Sequence, residues 1–132
     1  MNYYDTDINY NGSAIAIDMN NLDLSKCLSL SNMFGEQGYT LESVNLGFID
    51  TSNITNMDYL FYRIMAPINI NNCIFNTSKV TSLNNMFEKS NIPNIKQIVD
   101  RMNTSNVTTM YNCFYESKYK TLDLSNWDTS NV

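Results

Sequence analysis

One phrase recurs along this 132-residue chain and constrains the fold more than any other feature. It runs Asp50-Thr51-Ser52-Asn53-Ile54-Thr55-Asn56-Met57-Asp58-Tyr59-Leu60-Phe61, and it returns over 76–87 and 103–114. A worn copy occupies 23–34, and a fifth opens at Asp128-Thr129-Ser130-Asn131-Val132. Measured at the second residue, the copies fall at Leu24, Thr51, Thr77, Thr104 and Thr129, in steps of 27, 26, 27 and 25. A period near 26 is that of leucine-rich repeats and similar arrays, whose units cannot bury their apolar side alone and do so by stacking.

The apolar positions of one copy are Ile54, Met57, Leu60 and Phe61. Val80, Leu83, Met86 and Phe87 match them, as do Val107, Met110, Cys113 and Phe114, and Cys27, Leu30, Met33 and Phe34. Offsets of 0, 3, 6 and 7 share one face of a helix and no single face of a strand, so the spacing predicts a two-turn helix in each copy. A helix that short is unstable alone and needs packing against its neighbours. Asp50, Asn76, Asn103 and Asp128 open the phrase with side chains that bond the backbone two residues on and set a turn, and the following Thr or Ser can cap the helix.

The other half of each copy alternates: Val44-Asn45-Leu46, Ile68-Asn69-Ile70 and Leu122-Asp123-Leu124 read as strands with one polar residue outward. A large apolar residue then precedes the turn, at Ile49, Phe75, Met102 and Trp127. The third copy departs, because Ile95, Ile98, Val99 and Met102 have helical spacing. Pro67 and Pro93 fall between helix and strand, where a missing N–H costs little. The expected fold is an α/β, leucine-rich-repeat-like solenoid of about four coils, each with one short strand and one short helix, and a parallel sheet on one face. A parallel β-helix is the alternative. Its copies run about 23–49, 50–75, 76–102 and 103–127, with a partial one over 128–132, inside a repeat domain of 22–132. Residues 1–21 read as an N-terminal cap, a strand or a hairpin about the Asn11-Gly12 turn signal.

Leu122-Asp123-Leu124-Ser125-Asn126-Trp127-Asp128-Thr129-Ser130-Asn131-Val132 resembles the signature of the bacterial surface protein 26-residue repeat, a BspA-like relative of leucine-rich repeats. Thr109-Met110-Tyr111-Asn112-Cys113-Phe114 continues that signature, and the resemblance covers Leu22 to Val132. It implies an extended array, displayed on a cell surface or secreted, that binds host proteins or acts in adhesion. The chain lacks the Gly-Cys that commonly follows the Phe, and it shows neither an export signal nor a wall anchor.

Composition narrows the chemistry. A formal charge of −5 argues against a phosphate backbone as partner, since that needs clustered Lys and Arg. No stretch reaches the roughly 18 apolar residues of a membrane span. Histidine is absent, which removes the usual general base and the commonest zinc ligand. Cys27, Cys73 and Cys113 show no CxxC spacing; Cys27 and Cys113 fill apolar slots of the repeat, so all three read as buried apolar substitutes. Of five Asn-x-Ser/Thr sequons, at Asn11, Asn53, Asn76, Asn103 and Asn106, four fall in the phrase, where turn chemistry explains them better than glycosylation. Asp50 and Asp128 recur at repeat spacing, as glycosidase carboxylates do at fixed separation, but Asn replaces them in other copies and the turn role fits better.

The expected function is therefore non-catalytic: protein–protein interaction or adhesion through the exposed sheet face, without metal or cofactor. The candidate binding residues are the outward row Asn45, Asn69 and Asp123, with Gly47, Asn71 and Ser125 two residues on. Tyr59, Tyr62, Tyr111, Tyr115 and Tyr119 gather around the helices, where packing between units is the expected role. The alternative is a structural component of a larger particle that stacks through its open ends. The partner is accordingly a protein or, by self-association at the C-terminal end, the chain itself.

Overall fold

The computed structural model describes residues 15–34 and 41–132. Strands β1 (Ile15–Asp18), β2 (Leu41–Asn45) and β3 (Ile68–Asn69) form one parallel sheet in that order, and helix α1 (Ile95–Val99) follows. Asp18 lies opposite Asn45, and Asn45 opposite Asn69. Val44 and Ile68, the neighbours of this polar row, are fully buried, as period-two alternation requires. The Asn11-Gly12 turn lies outside the described residues; β1 is the part of the expected cap that they include.

This overturns the expected fold. A leucine-rich-repeat-like solenoid of about four strand-plus-helix coils is not present: among the described residues there are three short strands and a single five-residue helix. The sheet stays open, so the parallel β-helix fails as well. The physical reason lies in the backbone of the phrase. Where a helix was expected, φ turns positive at Asn32, Tyr59, Asn85 and Asn112, and again four residues later at Arg63, Lys89 and Glu116. A residue in the left-handed region ends the helical bond pattern. The chain instead makes two consecutive turns. The N–H of Leu60 reaches the carbonyl of Met57 at 3.2 Å and that of Ile64 reaches Phe61 at 3.2 Å; Met86 to Leu83 and Ser90 to Phe87 repeat the pair at 3.3 and 3.1 Å. Positive φ at the third residue is what a type II turn requires. Two such turns bury Ile54, Met57, Leu60 and Phe61 as completely as a helix face would.

Alternate N–H groups of these turns cross to the next copy. Those of Met57, Tyr59, Phe61 and Arg63 donate to the carbonyls of Ser82, Asn84, Met86 and Glu88 at 2.9–3.1 Å. Those of Leu83, Asn85, Phe87 and Lys89 donate in turn to Thr109, Tyr111, Cys113 and Tyr115 at 2.8–3.0 Å. Parallel bridges join Ser29 to Asn56, Asn56 to Ser82 and Ser82 to Thr109. Successive phrases thus lie side by side in register. The phenylalanines that close them form a file, Phe34, Phe61, Phe87 and Phe114, with ring centroids 6.0, 5.7 and 5.1 Å apart. Each ring contributes apolar burial and a stacking increment of about 0.5–1.5 kcal/mol.

The opening of the phrase is a turn, as its Asp or Asn predicts. Oδ1 of Asp50, Asn76, Asn103 and Asp128 accepts the N–H two residues on at 2.8–3.0 Å. The threonine that follows caps no helix. Thr51, Thr77 and Thr104 are buried, and each hydroxyl clamps the next copy. Thr51 Oγ1 donates to the Asn76 carbonyl at 2.8 Å and accepts the Asn76 N–H at 2.9 Å. Thr77 does the same to Asn103, and Thr104 to Asp128. A buried hydroxyl is tolerated because both its donor and its acceptor capacity are used.

The third copy leaves the strand pattern as its spacing indicates. Ile95, Ile98 and Val99 of α1 are buried. Asn94, just before the helix, finishes the sheet with its side chain: Oδ1 accepts the Ile68 N–H at 3.0 Å and Nδ2 donates to the Ile68 carbonyl at 2.6 Å. Trp127 then packs beyond α1, its indole N–H on the Val99 carbonyl at 3.1 Å.

Candidate functional site

The outward row is only partly assembled. Asn45 and Asn69 stand opposite each other on β2 and β3, with Asp18 beside them. Asp123 and Ser125 lie past α1 and pair with neither, because the sheet stops at β3. The acceptor oxygens of the row are engaged locally. Asn45 Oδ1 accepts the Gly47 N–H, Asn69 Oδ1 the Asn71 N–H and Asp123 Oδ1 the Ser125 N–H, at 2.9–3.0 Å. Asn71 Oδ1 accepts from Gln97 Nε2 at 2.9 Å, and Asn45 Nδ2 reaches Asp18 at 3.4 Å. Gly47 is no part of an open face. It is buried at φ +58 against Asn20, whose atoms would lie 2.5 Å from any added Cβ.

The carboxylates of the turns are held as anions by the same geometry. The Ser52 hydroxyl and then its N–H keep Asp50 below the usual carboxylate range, and Ser125 and Ser130 do so for Asp123 and Asp128. Asp50 and Asp128 sit in separate phrases, with the Asn76 and Asn103 turns between them. Burial pushes the Cys113 thiol up to about 12 and raises that of Cys73, so neither is a thiolate near neutral pH. Cys27 is half-buried and donates its S–H to the Ser29 carbonyl. Among the described residues no group of three or more acidic or cysteine side chains could hold a metal ion, and no helix is long and apolar enough to cross a membrane.

The more distinctive surface is on the turn side. There a cleft of about 470 Å³ is lined by Asn32, Tyr59, Tyr62, Asn85, Glu88, Lys89, Tyr111 and Asn112. The ladder builds it, because residues one repeat apart are neighbours. The position after the file of phenylalanines is Tyr62, Glu88 and Tyr115 in successive copies, so a carboxylate stands between two phenols. The left-handed positions Asn32, Tyr59, Asn85 and Asn112 run alongside. Tyr111 is 70% exposed, Tyr115 and Tyr59 are also exposed, and Tyr59 meets Tyr62 edge to face with ring centroids 5.6 Å apart. Asn85 and Glu88 are buried, and Asn85 Nδ2 donates to Glu88 Oε2. Lys89 is turned to Glu116, its ammonium 3.5 Å from Oε2.

Sequence reasoning placed these tyrosines between packed units. Tyr119 behaves so: it is half-buried, its hydroxyl bonded to Ser90 Oγ at 2.7 Å and to the Ile92 N–H at 3.1 Å. Tyr62 is half-buried too, whereas Tyr59, Tyr111 and Tyr115 are exposed. Asn85 and Glu88 were missed. The signal that finds them is the column read across copies, Tyr62–Glu88–Tyr115, rather than the pattern within one copy.

Two overlapping stretches of the chain, residues 7–92 and 28–132, match one protein family, described as "Mycoplasma protein of unknown function, DUF285". No curated protein and no solved structure matches.

Proposed function

Since the chain belongs to this family of unknown function, which is related to the BspA-like repeats, we propose from its geometry that it is a non-catalytic binding protein whose turn-side tyrosine face engages a protein partner. One observation carries the reading. Tyr59 and Tyr62 from one copy and Tyr111 from the second copy after it surround a single cleft, while each Oδ1 of the polar row on the sheet side already accepts a backbone N–H within the chain. Tyrosine offers large, stiff, amphipathic contact area and is enriched at interfaces. The resemblance to the bacterial surface 26-residue repeat extends the proposal to adhesion at a cell surface.

The test is binding of the labelled chain to intact host cells, with protease-stripped cells as the control for a protein receptor. The paired substitution Tyr59→Ala/Tyr111→Ala should abolish most of the protease-sensitive binding, and Asn69→Ala/Asp123→Ala should leave it near wild type. The opposite ranking would return the site to the sheet face.

A second reading, assembly, has its own observation. Among the described residues the N–H groups of Met110, Asn112, Phe114 and Glu116 donate to no backbone carbonyl, although their counterparts in the two preceding copies all do. Four donors at two-residue spacing form an edge that a further copy of the unit would satisfy. Sedimentation that stays monomeric at high concentration, with fast hydrogen exchange at these four amides, would remove this reading.

A further inference from the structure

We infer that the tyrosine cleft is a receptor for a basic side chain, a lysine ammonium or arginine guanidinium presented by the partner. The inference rests on the binding reading above and assigns its central contact.

The cleft has aromatic walls and an anionic floor. Tyr59, Tyr62 and Tyr111 supply the walls, and a cation over a phenol face is attracted by the ring quadrupole. Glu88 supplies the charge, buried and flanked one copy to either side by Tyr62 and Tyr115. Its Oε2 accepts from Asn85 Nδ2, which orients the carboxylate without neutralising it. A carboxylate so oriented keeps lone pairs for an incoming donor, and a charge-assisted hydrogen bond there is stronger than a neutral one. Among the described residues that line the cleft the one cation, Lys89, forms an ion pair with Glu116. The amides of Asn32 and Asn112 at the rim add neutral hydrogen-bonding groups, which a fork-shaped guanidinium can use as well as an ammonium. The chain carries a formal charge of −5, so its overall field favours a basic partner. An acidic ligand would meet Glu88 first, and an apolar one would cover that carboxylate with no charge to balance it.

The probes are the blocked peptides acetyl-Gly-Lys-Gly-amide and acetyl-Gly-Arg-Gly-amide, with norleucine, which has the four-carbon chain of lysine without its ammonium, as the neutral control and N-acetylglucosamine as a saccharide control. Titrations are followed by the NMR resonances of the Asn85 side-chain amide and the Tyr111 backbone amide. Saturable shifts at millimolar concentration are expected with lysine and arginine and none with norleucine. Glu88→Gln, which preserves the bond to Asn85, should weaken lysine binding about tenfold, and Tyr111→Ala, at an exposed site that folding does not need, several-fold. Equal shifts with norleucine, shifts with the sugar alone, or unchanged binding in Glu88→Gln would each overturn the assignment. In the cell-binding assay, loss of binding in Tyr59→Ala/Tyr111→Ala but not in Glu88→Gln leaves the tyrosine face standing and removes the basic ligand. Retention in both removes the two together.

Discussion

The two sides of the repeat obey different rules. On the turn side, four successive copies hold register without interruption: bridges run from Ser29 through Asn56 and Ser82 to Thr109, and the rings of Phe34, Phe61, Phe87 and Phe114 stack alongside. On the strand side, pairing lasts for three short strands and gives way to α1. Both sides come from the same unit of about 26 residues, so length does not explain the contrast. What differs is which groups make the joint. The turn side links copies through backbone groups that the two-turn geometry always presents, and through threonine hydroxyls with no freedom to do anything else. The strand side links them through a ladder that any local helix can replace once one residue, Asn94, satisfies the last strand. Register is kept on the turn side, and the strand side is free to vary.

Substitutions break or sharpen that contrast in a definite order. The largest loss should come from Phe87→Ala, which empties a fully buried place between Phe61 and Phe114; about 3–5 kcal/mol is expected in urea unfolding. Thr77→Val is next. It keeps the volume but removes a buried hydroxyl and leaves the N–H and carbonyl of Asn103 without their clamp, at a cost of about 1–3 kcal/mol. The strand-side counterpart, Asn94→Ala, removes two bonds to Ile68 and one to Gln97 from a half-buried side chain, so a loss of about 1 kcal/mol is expected. If Asn94→Ala costs more than Thr77→Val, the ranking of the two sides is wrong.

The smallest effect should be a gain. Tyr59 holds a left-handed conformation that Asn32, Asn85 and Asn112 hold in the other copies, and asparagine tolerates it better. Tyr59→Asn should raise stability by a few tenths to about 1 kcal/mol while removing a wall of the cleft.

Titration separates core from surface in the same way. Cys113 is held neutral up to about 12 against an ordinary thiol value of 9.0. A raised native value means that stability is intact below 9.0, where both states are protonated. It then declines as pH climbs from 9 towards 12, because only the unfolded chain ionises. Cys113→Ala should flatten that alkaline decline in pH-dependent urea midpoints. The turn carboxylates Asp23, Asp50, Asp123 and Asp128 have the opposite sign. Their values are lowered from 3.8, so their contribution is present above 3.8 and fades as pH falls through the lower native values. All four lie at the surface and should add only a shallow acid limb.

How much of this was legible in the sequence depends on which atoms carry the information. The repeat, its buried positions and the Asx turns were readable, because apolar spacing and the Asp/Asn-Thr-Ser opening fix them directly. The replacement of the third strand was readable too, from Ile95, Ile98 and Val99. The helices were misread because offsets of three and four are common to a helix and to paired turns, and side-chain spacing alone does not separate them. The discriminating residue was present: asparagine recurs at Asn32, Asn85 and Asn112, where left-handed φ is least costly. The tyrosine cleft was hidden for another reason. Its members are a full repeat apart, so it exists only in the columns between copies. The role of Thr51, Thr77 and Thr104 escaped for the same cause, since each hydroxyl finds its partner about 25 residues downstream.

Those threonines carry an implication for how such chains change length. The three seams that begin at Thr51, Thr77 and Thr104 close with the same atoms: a hydroxyl on one side, and the N–H and carbonyl of the next opening residue on the other. To the threonine hydroxyl the incoming Asn or Asp offers its main-chain groups, so Asn and Asp serve alike there. A recombination event that duplicates or deletes one whole unit would therefore leave every surviving seam chemically identical to those before it. Copy number can drift in a lineage while the cleft-bearing surface is extended or trimmed in whole steps.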